Sequence, residues 1–432
     1  MNRAILFALL LGASSLSAQT IAITGGRVVT NTGAPVDGGT VVIRDGRIVA
    51  AGANVPVPAG ATVVDASGKW VTPGLISGFS QLGLVEVNAV NETNEVEADK
   101  SPYAAAIDVV PGLNPADTSI AITRIEGVTR AVTSPDAGGK LFAGQGAVID
   151  LAEGPGLLMR PRAFQYMVYG EAGARLAGGS RPAAWLALTN ALDEAVRYAR
   201  NPAGYERDQA PDQLVPRRDA EALAAVVNGS QPLLVRVDRA SDIRQLLTLK
   251  SRYPALRLML LSANEGWMVA DAIAAAKVPV ITLGMQNRPE RFEMLGATMN
   301  NVGRLTAAGV TVALGTPDLD ASFQPRLMPQ YAGNMVAQAR LPGGVGLSWD
   351  QAFRTMTVNT AKVWGLNDLG TLEAGKRADV VIWDGDPLEL ASAPTAVFVD
   401  GVSQPMRSRQ TELRDRYLNV SAPGDLPVAY KR

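Results

Sequence analysis

The 432-residue sequence contains no cysteine and no histidine. Without cysteine, the chain has no disulfide, no thiolate nucleophile and no Cys-based zinc or iron–sulfur site. Without histidine, it also has no Ser-His-Asp triad, no Cys-His pair and no imidazole ligand for zinc or nickel. A chain of this length ordinarily carries several histidines, so the absence excludes whole classes of enzyme.

An excess of charge of one sign is also missing. The 40 Lys and Arg residues nearly balance the 41 Asp and Glu residues, which gives a formal net charge of −1. A scattered, balanced charge provides no electrostatic footprint for nucleic acid or an anionic membrane. Beyond the N-terminus, no apolar run reaches the length of about 18 residues that a spanning helix needs. We therefore expect no nucleic-acid partner and no transmembrane segment in the mature chain.

Residues 1–18 have the pattern of a signal peptide. Arg3 supplies the positive charge, residues 4–13 form a short apolar run, and the small residue Ala18 precedes Gln19. This order is typical of secretory signals, and the run is too short to favour the alternative of an uncleaved anchor. The sequence thus predicts a periplasmic or secreted protein.

The mature chain divides into three segments by pattern. Residues 19–72 and 363–432 contain short β-branched runs separated by turns, including the hairpin signal Asp45-Gly46. Each of these two segments is too small to close a core alone, so we expect them to pair into one small β-sandwich. In residues 73–362, apolar runs of strand length alternate with amphipathic helical stretches, which favours an α/β fold, a (β/α)8 TIM-like barrel, over an open doubly wound sheet.

Two motifs carry a resemblance to a known family. Residues 71–83, V-T-P-G-L-I-S-G-F-S-Q-L-G, resemble the V-x-P-G-L-I-D-x-H-x-H-L-G signature of the amidohydrolase superfamily, close to its exported imidazolonepropionase-like branch. Residues 370–388, G-T-L-E-A-G-K-R-A-D-V-V-I-W-D-G-D-P-L, resemble the C-terminal signature of the same family. The resemblance implies a barrel with a composite β-sandwich. It also implies zinc or another divalent metal that activates water for attack on a carbon–nitrogen bond.

The metal ligands that the resemblance implies are missing from this sequence. Phenylalanine and proline side chains cannot ligate a metal, a guanidinium does not deprotonate, and glutamine is a weak neutral donor. We therefore predict that the transition-metal centre is lost and that no cofactor is bound. The positions that correspond to the family's ligands are Phe79, Gln81, Asp150, Arg236, Ser262 and Pro317.

A few acidic residues keep two alternatives open. Asp318 follows the position of the family's catalytic aspartate by one residue, so it is the candidate catalytic residue. Oxygen ligands from carboxylates could instead form a site for a hard cation. The carboxylates considered for that site are Glu86, Asp150, Asp238 and Asp318.

Four of these charged positions are expected at the carboxyl ends of barrel strands, where sites in this fold are built: Asp150, Arg236, Asp238 and Asp318. Arg236 has two interpretations. Either it is buried and needs a carboxylate partner, or it reaches solvent and pairs at the rim.

Three functions follow from the sequence. The preferred hypothesis is an amidohydrolase-fold pseudoenzyme or binding scaffold that works beside an intact amidohydrolase relative or by self-association. The second is a hydrolase acting on carbon–nitrogen bonds of amides, cyclic amides or peptides by an altered mechanism. The third is a periplasmic small-molecule binding protein. Whether the chain is an enzyme stays open at this point, because fold alone does not establish function.

Overall fold

A computed structural model describes residues 20–207, 213–317 and 322–418, so the predicted signal peptide lies outside the described residues. The described residues form two β-sheets of eight strands each. The strands are β1 (Thr20–Val28), β2 (Val36–Arg44), β3 (Arg47–Gly52), β4 (Thr62–Asp65), β5 (Trp70–Pro73), β6 (Leu75–Ser80), β7 (Val128–Thr133), β8 (Phe142–Asp150), β9 (Leu158–Val168), β10 (Leu233–Val237), β11 (Leu258–Ser262), β12 (Val280–Thr282), β13 (Val312–Leu314), β14 (Val380–Trp383), β15 (Pro394–Val399) and β16 (Val402–Ser403).

Most helices follow barrel strands, as the alternating pattern of the sequence indicates. They are α1 (Thr118–Ile125), α2 (Gly170–Leu176), α3 (Arg181–Arg200), α4 (Pro202–Arg207), α5 (Arg217–Val227), α6 (Ala240–Leu247), α7 (Leu249–Arg252), α8 (Ala270–Ala275), α9 (Asn301–Ala307), α10 (Met328–Gln338), α11 (Trp349–Arg354), α12 (Val358–Trp364) and α13 (Arg409–Leu418). Of the helices described, none is both long and apolar enough to cross a membrane.

The first sheet is built from both ends of the chain. Its strand order is β16-β15-β14-β5-β1-β2-β3, with β4 also paired to β1. The predicted Asp45-Gly46 turn joins β2 to β3, and both turn residues have a positive φ, as a tight two-residue hairpin requires. Antiparallel pairing of β14 with β5 brings the C-terminal strands onto the N-terminal ones. The predicted pairing of the two ends into one small β unit is therefore confirmed.

The second sheet forms a nearly closed barrel from β6 to β13, in sequence order. The backbone N–H of Thr316, just after β13, donates to the carbonyl of Phe79 in β6 at 2.9 Å. This approach needs glycine at the seam, because a Cβ on Gly315 would lie 2.7 Å from the Phe79 backbone nitrogen. The predicted α/β barrel with an appended β unit is thus confirmed.

One barrel strand runs against the rest. Strand β8 is antiparallel to both β7 and β9, whereas the other pairs of the barrel are parallel. The connections on either side of β8 span residues 134–141 and 151–157, which are too short for the crossover that parallel neighbours need. The expectation of a uniformly parallel sheet was therefore wrong at this strand.

The direction of the side chains on β10 explains which residues reach the mouth of the barrel, the end at which the parallel strands have their carboxyl ends. Leu234 packs in the apolar interior of the barrel with Phe79 and Tyr166, whereas Val235 packs outward against the helices. Because side chains alternate along a strand, Arg236 points inward above Leu234. It is the last inward residue of β10 and so lies at the carboxyl end of the barrel.

Candidate functional site

The loops at the carboxyl ends of the strands enclose a cavity of about 520 Å³. This volume lies in the range of small-molecule sites, and this end of the barrel is where sites of the fold are built. Residues after β7, at the end of β9 and β10, and in the loop after β12 line the cavity: Asp136, Ala137, Val168, Tyr169, Ala172, Arg175, Arg236, Asp238, Leu283, Gln286, Glu290, Arg291 and Glu293.

Phe79 and Gln81, the two ligand positions of the first signature, have side chains that contact other residues of the protein. Phe79 is buried in the barrel interior, and its ring lies 5.6 Å from that of Tyr166. Gln81 is buried, and its Oε1 accepts a hydrogen bond from the Ser322 hydroxyl at 2.5 Å. Neither side chain offers a donor atom toward a metal in the mouth.

Arg236, on β10, occupies one of the positions at which the family resemblance implies a metal ligand. The side chain is half-buried and lines the cavity, and its Nη1 donates to the carbonyl of Pro317 at 2.8 Å. The structure therefore brings together two of the predicted positions, one from β10 and one that follows β13. A guanidinium keeps its positive charge at every relevant pH, so this pair places a permanent cation in the mouth.

Ser262 ends β11 in an unusual backbone conformation. It has a φ of 72°, and Ala263 follows with a φ of 48°, both in the left-handed region that non-glycine residues rarely adopt. Two left-handed residues in succession turn the chain sharply. As a result, the Asn264 side-chain amide donates to Asp238 Oδ1 at 2.6 Å. The turn that begins at Ser262 thus places the Asn264 side chain against Asp238.

Asp238 belongs to a chain of alternating charges along the mouth. Its Oδ2 accepts from Arg291 at 2.9 Å, and Arg291 lies 3.6 Å from Glu293. Glu293 in turn lies 3.1 Å from Arg181, which pairs with Asp242 at 2.7 Å. Burial raises the pKa of Glu293 above its ordinary value, and Arg291 opposes that rise. These five side chains largely neutralise each other and tie the loop after β12 to β10, α3 and α6.

Tyr166 packs in the barrel interior with Phe79 and Leu234. It is fully buried on β9, and burial raises the pKa of its hydroxyl far above the ordinary value. The carboxylates of Asp136 and Asp238 raise the pKa further, whereas the Arg236 guanidinium lowers it. Tyr166 is therefore a neutral phenol at physiological pH, and it cannot serve as a general base.

Asp150 does not reach the mouth. It pairs in register with Arg130 near the start of β7, and its carboxylate lies 3.8 Å from the Arg130 guanidinium. Arg130 is also bound by Asp379, just before β14, and by Asp400, just after β15, at 2.7 and 3.0 Å. The prediction that Asp150 lies at the mouth was wrong, because β8 runs in the opposite direction and carries its carboxyl end to the bottom of the barrel.

The remaining acidic candidates that lie within the described residues do not assemble a cation site. Asp318 lies outside the described residues. Glu86 accepts a hydrogen bond from the Asn114 amide on the exposed segment after β6, and both oxygens of Asp238 are already occupied. Across residues 20–207, 213–317 and 322–418, no three carboxylates lie close enough to hold a metal ion. The side chains at Phe79, Gln81 and Arg236 do not fit a zinc ion. Phenylalanine has no ligand atom, the Gln81 amide oxygen already accepts a hydrogen bond, and Arg236 carries a positive charge.

Sequence reasoning missed several residues of the mouth. It did not predict β9, and therefore missed Tyr166 on that strand and Tyr169, which follows the strand and lines the cavity. It also missed Arg181 and Glu293, whose partners are distant in the chain. The one available signal was the charged run Arg288–Glu293 after an apolar strand, which is typical of a loop at a barrel mouth.

Sequence comparison with known proteins finds amidohydrolases both by family profile and by alignment with individual relatives. The sequence profile of the Amidohydrolase family matches residues 255–408. Amidohydrolase tasK of Hapsidospora irregularis is 25% identical over 401 residues, which cover 85% of this chain but only 40% of that protein. An imidazolonepropionase of Mesorhizobium japonicum is 28% identical over 383 residues, which cover 82% of this chain and 88% of that one.

The solved structures agree on the fold. An amidohydrolase from Thermotoga maritima MSB8 superposes with a TM-score of 0.78 at 23% identity, over 90% of this chain and 100% of that one. A second amidohydrolase structure gives a TM-score of 0.54 at 18% identity, over 90% of this chain and 100% of that one. The family profile over residues 255–408, the relatives at 25% and 28% identity and the two motifs support one interpretation: the chain resembles the amidohydrolase superfamily and is imidazolonepropionase-like.

Proposed function

We propose that this chain is an exported amidohydrolase-fold protein that has lost the metal-dependent hydrolase centre and uses its barrel mouth as a binding scaffold. The observation that carries the proposal is the contact between Arg236 and Pro317 at 2.8 Å. It joins two positions at which the family resemblance implies metal ligands. A fixed positive charge at this point repels a divalent cation.

The neighbours of Arg236 support the same interpretation. Phe79 fills the barrel interior against Tyr166, so a metal at the first-strand position would lie against an apolar ring. The oxygen of the Gln81 side chain is hydrogen-bonded to Ser322 and would have to break that bond to ligate. Removing a buried hydrogen bond without replacement costs about 1–3 kcal/mol, which weakens an already poor ligand.

Export and partnership complete the proposal. Residues 1–18 have the order of a signal peptide, so the mature protein would act in the periplasm or outside the cell. We propose that it works there beside an intact amidohydrolase relative or with a second copy of itself. The competing function is a hydrolase of amides, cyclic amides or peptides with an altered mechanism.

Metal uptake tests the proposal directly. The mature protein is purified from cells grown with added zinc, dialysed, and assayed for zinc by mass spectrometry. We expect well under one zinc per chain. The matched gain-of-ligand variant carries Phe79→His, Gln81→His, Arg236→His, Ser262→His and Pro317→Asp. We expect this variant to retain zinc, because the same five positions then supply nitrogen and oxygen donors.

Turnover assays separate the proposal from its competitor. The wild-type chain is incubated with dipeptides and with cyclic amides such as hydantoins, and we expect no hydrolysis above buffer. Stoichiometric zinc in the wild-type chain would contradict the proposal. So would turnover that Asp318→Asn abolishes, and that result would favour the altered-mechanism hydrolase.

A further inference from the structure

We propose that a second cavity, on the flank of the barrel, binds a short straight-chain carboxylic acid of the size of hexanoate. The alkyl chain would lie against the apolar wall of this flank cavity, and the carboxylate would face Lys140. The flank cavity shares no lining residue with the mouth cavity. This inference is therefore independent of the function proposed for the mouth, and either can fail while the other stands.

The flank cavity lies between the start of β8 and the helices α3 and α5. Its volume is about 260 Å³, slightly below the range of about 300–1,000 Å³ that is usual for sites of drug-sized ligands. The volume therefore limits the ligand to a small molecule. The residues that line the cavity are Ala104, Ala105, Lys140, Leu141, Phe142, Leu176, Ala177, Ala187, Asn190, Ala191, Leu214, Val215, Pro216, Asp219 and Leu223.

The wall of the flank cavity is mostly apolar. Apart from Lys140, Asn190 and Asp219, every lining residue is Ala, Leu, Val, Phe or Pro. Ala187 and Pro216 of the lining are exposed, so the cavity opens to solvent. Because the transfer of methylene groups from water to apolar surface is favourable, an alkyl chain suits this wall.

Two of the three polar side chains in the lining already bind other groups of the protein. The two carboxylate oxygens of Asp219 accept the backbone N–H groups of Ala104 and Ala106, at 2.8 to 3.1 Å. The side-chain nitrogen of Asn190 donates to the Glu194 carboxylate at 2.7 Å. The negative charge of Asp219 is thus held by backbone donors, which makes it a poor site for a ligand cation.

Lys140 provides the positive charge of the flank cavity. Its ammonium group donates to the carbonyl of Pro102, and it forms no ion pair with a carboxylate of the described residues. An ammonium group has three donors, so this hydrogen bond leaves two for a ligand. Lys140 attracts a carboxylate and repels an amine. A molecule with one alkyl chain and one carboxylate therefore matches both the wall and the charge.

Isothermal titration calorimetry on the full mature chain, at low salt, tests the head group and the chain separately. Hexanoate, 1-hexanol and hexylamine share six carbons and differ only in the head group. We expect hexanoate to bind about threefold to fivefold more tightly than 1-hexanol, because a partly exposed ion pair contributes about that factor. Hexylamine should bind most weakly, because its charge is repelled by Lys140. Hexanoate should bind about tenfold more tightly than butanoate, because it buries two further methylenes.

Variants test the two contacts of the ligand. Lys140→Gln should remove the advantage of hexanoate over 1-hexanol and leave the affinity for 1-hexanol unchanged. Lys277→Gln, at an exposed lysine outside the lining, is the matched control and should change no affinity. Ala191→Leu should weaken hexanoate and 1-hexanol at least about tenfold, because the larger side chain takes the space of the alkyl chain. Thermal unfolding checks that Ala191→Leu is folded, and Lys140→Gln tests the proposal if it is not.

Four results would overturn the inference. The first is no heat of binding with hexanoate at tens of millimolar. The second is binding of 1-hexanol or hexylamine at least as tight as that of hexanoate. The third is a Lys140→Gln variant that keeps the wild-type preference for hexanoate, and the fourth is a folded Ala191→Leu variant with wild-type affinity. None of these results changes what is expected of the metal content of the mouth.

Discussion

Replacing Asp379 with asparagine should destabilise the protein more than any exposed charge substitution. Asp379, just before β14 of the first sheet, accepts two hydrogen bonds from the Arg130 guanidinium of β7, at 2.7 and 2.8 Å. The Arg130 side chain has no solvent exposure, and that of Asp379 is only 4% exposed. This pair joins the bottom of the barrel to the sheet formed by the chain ends.

The magnitude follows from the burial of the pair. Removing one partner of a buried ion pair leaves the other charge uncompensated and costs about 3–5 kcal/mol. Asp400 and Asp150 still face Arg130 at 3.0 and 3.8 Å, so we expect a value near the lower end, about 3 kcal/mol. The assay is urea unfolding followed by tryptophan fluorescence.

A matched exposed pair provides the control. Arg27 and Asp37 approach to 3.2 Å with side chains that are 43% and 77% exposed. Asp37→Asn should therefore change the free energy of unfolding by less than about 1 kcal/mol. If Asp379→Asn and Asp37→Asn cost the same, the buried pair does not join the two sheets energetically, and the reasoning is wrong.

The other predictions concern the barrel seam, the mouth and the response to acid. Gly315→Ala should cost about 1–3 kcal/mol in urea unfolding, because its Cβ would lie 2.7 Å from the Phe79 backbone nitrogen, which cannot move without opening the seam. Arg236→Met should cost about 1–2 kcal/mol in the same assay, since the Pro317 carbonyl loses a charged donor; an unchanged stability would show that the contact contributes nothing. Burial raises the pKa of Asp400, but Arg130 and further arginine contacts outweigh burial and lower it below the ordinary value of 3.8. Because the folded pKa is depressed, the stability from Asp400 is complete above pH 3.8 and is lost as the pH falls below it. A pH series of unfolding free energies for Asp400→Asn should therefore show a smaller loss below that pH than the wild-type chain, and a parallel loss would contradict the assignment.

Local patterns were enough to predict most of the fold. The alternation of apolar and amphipathic segments predicted the barrel, and Asp45-Gly46 predicted its hairpin, because both signals depend on neighbouring residues. Strand β9 was missed because Leu158–Val168 is interrupted by arginines and a proline and lacks a clean apolar run. Without β9, the reversal of β8 and the true position of Asp150 could not be predicted.

The candidate site was predicted only in part, for a physical reason. A motif fixes where a residue falls along a strand, so Phe79, Gln81 and Arg236 could be placed near the carboxyl ends of their strands, β6 and β10, from sequence. The ion chain from Asp242 to Asp238 depends on contacts between residues that are far apart in the chain, and no local pattern encodes such contacts.

A crystal structure of the mature protein grown with excess zinc is the most direct test of the central proposal, that the mouth no longer holds a transition metal. Anomalous diffraction data collected at the zinc edge would locate any bound ion. We predict no anomalous peak in the barrel mouth, with the Arg236 guanidinium still bonded to the Pro317 carbonyl as it is here at 2.8 Å. A fully occupied zinc peak in the mouth, with Arg236 displaced from Pro317, would contradict the account.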